Sequence, residues 1–124
     1  MSVIEYLRIY NDADECSHFD IQKVGLNNAD DAPPTLPLMT SSMKTAEKFV
    51  FLKLPVGWHG DWHPTPIRQW LILLSGELEF EVGDGKQFRR KTGDVVMLDD
   101  VMGKGHQTKV VGNIPVRIVT IHSP

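Results

Sequence analysis

The chain has 124 residues, 41% hydrophobic and 23% charged, which fits one domain around one core. A net charge of −3 gives no basic field for nucleic acid or anionic lipid, and no apolar run is long enough to span a bilayer. Cys16 is the only cysteine, so an internal disulfide is excluded. The first ten residues carry neither a basic leader nor a long apolar core, so no signal peptide is expected and a cytoplasmic location fits.

In chain order, strand follows strand. Val3, Tyr6, Ile9 and Tyr10 mark a β-prone N-terminal segment, and His18 to Leu26 predicts a second short strand. The three prolines of Asp30 to Leu38 remove donors and fix φ, so an extended crossing segment is expected there. Ser41 to Lys48 predicts the one helical turn, with Ser42 as its cap and Lys44, Ala46 and Glu47 as helix formers. Residues 1–46 thus read as an N-terminal arm and residues 47–124 as a barrel.

Glu47 to Leu54 predicts a strand carrying Phe49 and Phe51. Ile67 to Leu74 is a continuous apolar run, which predicts burial on both faces. Trp70, Ile72 and Leu74 lie opposite Leu71 and Leu73, so a second sheet or a partner subunit is expected to cover the outer face of that strand. Glu77 to Val82 alternates charged and apolar residues, as a half-exposed antiparallel strand does. Gly83-Asp84-Gly85 predicts a hairpin turn into Gln87 to Lys91, where Arg89-Arg90-Lys91 reads as a solvated strand end. Thr92-Gly93-Asp94 turns into Val95 to Leu98, and Gln107 to Val111 and Val116 to His122 complete the set. Many short strands with regular turns predict an all-β sandwich or barrel.

Chemistry concentrates in two places: G-W-H-G-D-W-H from Gly57 to His63, and G-K-G-H from Gly103 to His106. If Trp58 to His63 is extended, His59, Asp61 and His63 share one face and Trp58 and Trp62 the other. Neutral imidazoles with carboxylate or amide oxygens suit several divalent ions. Asp61, His63 and His106 make a two-histidine, one-carboxylate set; His63, Gln69 and His106 make a more neutral one; His59 is a further imidazole for either. Against this stand simpler readings. His18 and His122 read as surface or hydrogen-bonded residues, Trp62 and Trp70 as packing, Cys16 as incidental, and Asp61 equally as a turn cap.

These residues resemble the cupin superfamily. Its first motif is G-x5-H-x-H-x3-4-E-x6-G. Gly57 and His63 match the opening spacing, Gln69 stands where the motif has Glu, and Gly76 closes it. Ungapped, Thr65 replaces the second histidine; alternatively His63-Pro64 is that second histidine and Asp61 takes the first position. The second motif is G-x5-P-x-G-x2-H-x3-N. It is matched by Gly93 and by Gly103-x2-His106, with Val101 for proline, Val110 for asparagine and a connection two residues longer. The resemblance, over about Phe49 to Ile121, implies a single-domain double-stranded β-helix (jelly-roll) barrel with an N-terminal extended arm.

The resemblance further implies a barrel pocket in which His63, Gln69, His106, Asp61 and His59 are the candidate metal ligands. Thr65 and the rim residue Lys104 are candidate ligand contacts. Fe, Zn, Ni or Mn would be held weakly, since one imidazole and the glutamate of the motif are replaced. Three functions stay open: a metal-assisted enzyme on a small organic substrate, a non-catalytic small-ligand binder or sensor, and a structural or stability role within an assembly. A homodimer is the expected assembly, without nucleic-acid or membrane partners.

Overall fold

The computed structural model describes residues 2–28 and 38–124. It contains β1 (Ser2–Asn11), β2 (Ser17–Asn28), β3 (Met39–Thr40), β4 (Phe49–Leu54), β5 (His59–His63), β6 (Gln69–Ser75), β7 (Glu77–Glu81), β8 (Gln87–Lys91), β9 (Val95–Asp99), β10 (His106–Val111) and β11 (Val116–His122). Among the described residues there is no helix.

The strands form two sheets, a seven-stranded one in the order β3-β2-β1-β9-β6-β11-β4 and a four-stranded one in the order β5-β10-β7-β8. Alternation builds the core between them. Leu7 and Ile9 of β1, Leu71 and Leu73 of β6, Val96 and Leu98 of β9, and Val116 and Ile118 of β11 point inward from the larger sheet. Leu78 and Phe80 of β7 and Val110 of β10 meet them from the smaller one. The chain crosses from the first sheet to the second at Gly76. Its φ is +87° and a Cβ there would sit 2.7 Å from Val116 Cγ2, so only glycine passes β6 into β7.

The N-terminal arm is built into the wall. β1 runs parallel to β9, pairing Leu7 with Val96 and Ile9 with Leu98, and antiparallel to β2 along its whole length. β2 is twelve residues long, well beyond the short strand expected. The crossing segment expected from Asp30 lies outside the described residues except for Leu38, which is exposed.

Two expectations are corrected. Residues 41–48 form no helical turn. Backbone bonds from Glu47 N to His122 O and from His122 N to Lys48 O draw the end of this segment out alongside β11, so sheet pairing overrides a weak local helix preference. The β6 run is buried on its inner face only. Trp70 and Ile72 are half-buried and Leu74 is 48% exposed on the outer face.

Phe80 anchors the four-stranded sheet. It is 1% exposed and stacks on Phe88 at 5.0 Å, and Phe88 in turn contacts Phe19 of β2 at 4.6 Å. Phe80→Ala is expected to lower the unfolding free energy by about 3–5 kcal/mol, because the cavity cannot collapse between two sheets. Urea denaturation of the variant checks this.

Candidate functional site

The site begins with the ladder between β5 and β10. Lys109 pairs with His59 and Thr108 with Gly60, but His106 pairs with His63. Three steps along β5 therefore match two along β10, which is a β-bulge in β5. The bulge breaks the parity expected from the sequence. His63 stands beside the buried His106 and is itself exposed, while His59 pairs with Lys109, whose side chain lies on the outer face with Glu79. His59 accordingly lines an outer groove of about 390 Å³ with Glu79, Glu81, Gln87, Gln107 and Lys109.

The two rings lie 5.2 Å apart between centroids, inclined by 53°. Gly105 makes the approach feasible. Its φ is +76°, and a Cβ there would run into the His63 carbonyl. The glycine before His106 is thus a steric requirement for bringing the histidines together.

Each imidazole is held by Nδ1. His106 is 2% exposed, and its Nδ1 lies 2.6 Å from Oδ2 of Asp100, which is fully buried. A carboxylate oxygen can only accept, so Nδ1–H donates and Nε2 becomes the open nitrogen. His63 Nδ1 lies 2.9 Å from the Pro64 carbonyl, which likewise can only accept. An imidazole oriented by a carboxylate or carbonyl behind it is the arrangement that prepares Nε2 to bind a metal or hydrogen-bond a ligand. Phe80 packs near the His106 ring at 6.2 Å, on the apolar side of the site. Asp100 Oδ1 is buried without a partner.

The other sequence candidates divide. Thr65 is 1% exposed; its hydroxyl donates to the Ile67 carbonyl and accepts from Gln69 Nε2, while its backbone N–H donates to the Asp100 carbonyl. Thr65 therefore ties Gln69 to the loop that carries Asp100, and Gln69 keeps its amide oxygen as the remaining polar atom. Asp61 is exposed and accepts from the Trp62 N–H, as a local cap does. Lys104 lies 3.9 Å from the centroid of the Trp62 ring, a cation–π contact on the surface. Sequence reasoning missed Asp100 as a partner. It stood in the loop read as a rim, and nothing in its spacing marks a carboxylate that will be buried.

The donor set bears on a metal. His63 and His106 offer two open Nε2 atoms, and Gln69 offers a neutral carbonyl. Among the described residues, no His, Cys, Asp or Glu joins these two rings in a cluster whose donor atoms all lie within 4.8 Å of one another. The pair suits imidazole-binding ions such as Fe, Zn, Ni or Mn, without the carboxylate that would neutralise their charge.

Removing one member of this buried, hydrogen-bonded carboxylate–imidazole pair strands the other. Asp100→Ala and His106→Ala are each expected to cost about 1–3 kcal/mol of stability, and the double variant less than their sum. A double-mutant cycle in urea checks this; additive losses would show that the two groups are not coupled.

A family model described as a cupin domain matches residues 50–122, more than half of the chain. No curated protein matches in sequence. Among solved structures, the chain is similar to the cupin domain of Schizosaccharomyces pombe Cnp3, at 15% identity and a TM-score of 0.51, covering 100% of this chain and 86% of that one. It is also similar to a Klebsiella pneumoniae protein with a double-stranded β-helix domain (24% identity, TM-score 0.49, 67% and 72% of the two chains). An RmlC-like cupin from Desulfovibrio desulfuricans shares 18% identity at a TM-score of 0.47, over 80% of this chain and 81% of that one. The matched segment runs from β4 through β11 and takes in His63, Gln69, Thr65, Asp100 and His106: the chain belongs to the cupin family.

Proposed function

We propose that this protein binds a small polar organic molecule inside the jelly roll, at the paired imidazoles of His63 and His106. The observation that carries this reading is the buried His106–Asp100 pair, which leaves Nε2 as an oriented acceptor beside the second ring. A ligand hydroxyl or carboxylic acid would donate to such a nitrogen, and the apolar lining around Phe80 would take the carbon skeleton.

Metal-assisted catalysis is the second reading, and the donor set decides the order. A divalent ion held by His63, His106 and the Gln69 oxygen would act as a Lewis acid on a carbonyl or hydroxyl oxygen. Three neutral donors leave its full charge uncompensated, so weak, exchangeable binding is expected. Asp61 and His59 do not complete the set, since one caps its own turn and the other lines the outer groove.

Thermal shift of chelated protein against hydroxy acids, keto acids and sugars tests both. A ligand at a hundred times its Kd adds about 2.7 kcal/mol to stability. The expected result is a metal-independent shift that His63→Ala abolishes. A shift appearing only after Fe, Zn, Ni or Mn is restored would establish the second reading, and a flat response under both conditions would refute both.

We also propose that the chain is a homodimer through the outer face of the larger sheet. Cross-strand pairing sets Phe49 by Ile121 and Trp70, and Phe51 by Val119 and Ile72, so two apolar rows cross the sheet. They end on edge strand β4, where Phe49 is 66% and Phe51 68% exposed. A contiguous apolar face ending on an unpaired edge marks an interaction surface, and burial against a second copy would also protect that edge. Light scattering at micromolar concentration is expected to give a dimer mass, and Phe51→Glu a monomer; a monomeric parent protein would overturn the assignment.

Among the described residues, no helix is long and apolar enough to cross a membrane. The single cysteine, which is free, is in keeping with a cytoplasmic location.

A further inference from the structure

The β1–β2 hairpin carries a second cluster of donors, which shares no residue with the histidine pair. Asp12, Cys16 and His18 bring a carboxylate oxygen, a thiol and an imidazole nitrogen within 4.8 Å of one another. We propose that these three residues form a zinc-type divalent metal site, with a fourth position open to water.

The local fold prepares each donor. Asp12 Oδ1 is occupied by the backbone N–H groups of Asp14 and Cys16, which leaves Oδ2 as the single outward oxygen. Cys16 immediately precedes β2 and His18 is its second residue. Ser17 between them is anchored, its hydroxyl donating to the Gly105 carbonyl and accepting from the Gly83 N–H. Those bonds fix the backbone that carries the thiol and the imidazole.

His18 carries the independent sign of a ligand. Its Nδ1 lies 2.7 Å from Asp84 Oδ2, in the β7–β8 turn, outside the cluster. A carboxylate behind Nδ1 directs Nε2 forward, and Nε2 lies 2.6 Å from Asp12 Oδ2. A metal-bound histidine is most often backed in this way, by an acceptor that fixes the tautomer and raises the basicity of the ligating nitrogen. With no metal, two acceptors would face each other across 2.6 Å, so a proton must occupy that gap.

A divalent ion takes the place of that proton. On binding, the imidazolium releases its Nε2 proton and the Cys16 thiol releases its own, leaving thiolate, neutral imidazole and carboxylate on the ion. Zinc bonds of about 2.0–2.3 Å draw tetrahedral donors to about 3.3–3.8 Å apart, a closure that rotation of the Asp12 and Cys16 side chains supplies. Thiolate with imidazole selects zinc-like ions over calcium or magnesium. Asp14 and Glu15 in the same turn add negative charge that favours a cation.

Cobalt titration of the reduced protein tests the site, because thiolate-to-cobalt charge transfer absorbs in the near ultraviolet and the barrel histidines offer no thiolate. The expected result is one such band at one equivalent, retained in His63→Ala and lost in Cys16→Ser. In competition with a chromophoric chelator, zinc affinity should fall at least tenfold in His18→Ala and Asp12→Asn, and about 10–100-fold in Asp84→Asn. Thermal melts of the variants confirm that they are folded. No band in the parent protein, or undiminished zinc affinity in folded Cys16→Ser, would overturn the proposal; loss of zinc in His63→Ala alone would assign the ion to the barrel instead.

Discussion

A carboxylate and an imidazole buried against each other hold one end of this jelly roll together. Desolvating Asp100 and His106 is costly, and the cost is offset only while the two stay in hydrogen-bond contact. The surroundings are arranged to keep them so. Thr65 bonds the Asp100 carbonyl, Gly105 lets the His63 backbone press against the chain just before His106, and Ser17 bonds the Gly105 carbonyl from the N-terminal hairpin. Three segments distant in sequence converge on one buried pair. The orientation of Nε2 follows from that convergence.

The strands were legible because period-two patterns report burial directly. Glu77 to Glu81 alternates in the sequence and alternates in the structure, with Leu78 and Phe80 in the core. The Gly83-Asp84-Gly85 turn and the Val116 to His122 strand also stand where their residues indicate. Cupin membership was legible from Gly57, His63, Gln69 and Gly76 at the spacing of the first motif and from Gly103 and His106 in the second, although the second histidine, the glutamate, the proline and the asparagine of the motifs are replaced and the second motif is two residues longer.

What stayed hidden depends on partners rather than on local pattern. The bulge in β5 reverses His59 relative to His63, and a bulge is decided by the neighbouring strand's register, which the segment itself does not record. Residues 41–48 have helix-forming side chains but are drawn along β11 by backbone bonds from far down the chain. Asp100 could not be recognised as the partner of His106, because an acidic residue in a polar loop looks like every solvated one until packing buries it. The Asp12, Cys16 and His18 cluster was overlooked for a related reason. Its meaning depends on Asp84, sixty-six residues away from His18 and on a different hairpin.

The parallel pairing of β1 with β9 carries a consequence for where this domain begins. The family match starts at residue 50, yet Leu7 and Ile9 are among the most deeply enclosed residues of the interior. A fragment trimmed to the matched region would strip the inner sheet of a central strand and leave Val96 and Leu98 facing water. The enclosed interior therefore extends beyond the matched segment, and the N-terminal hairpin is an integral plank of the molecule.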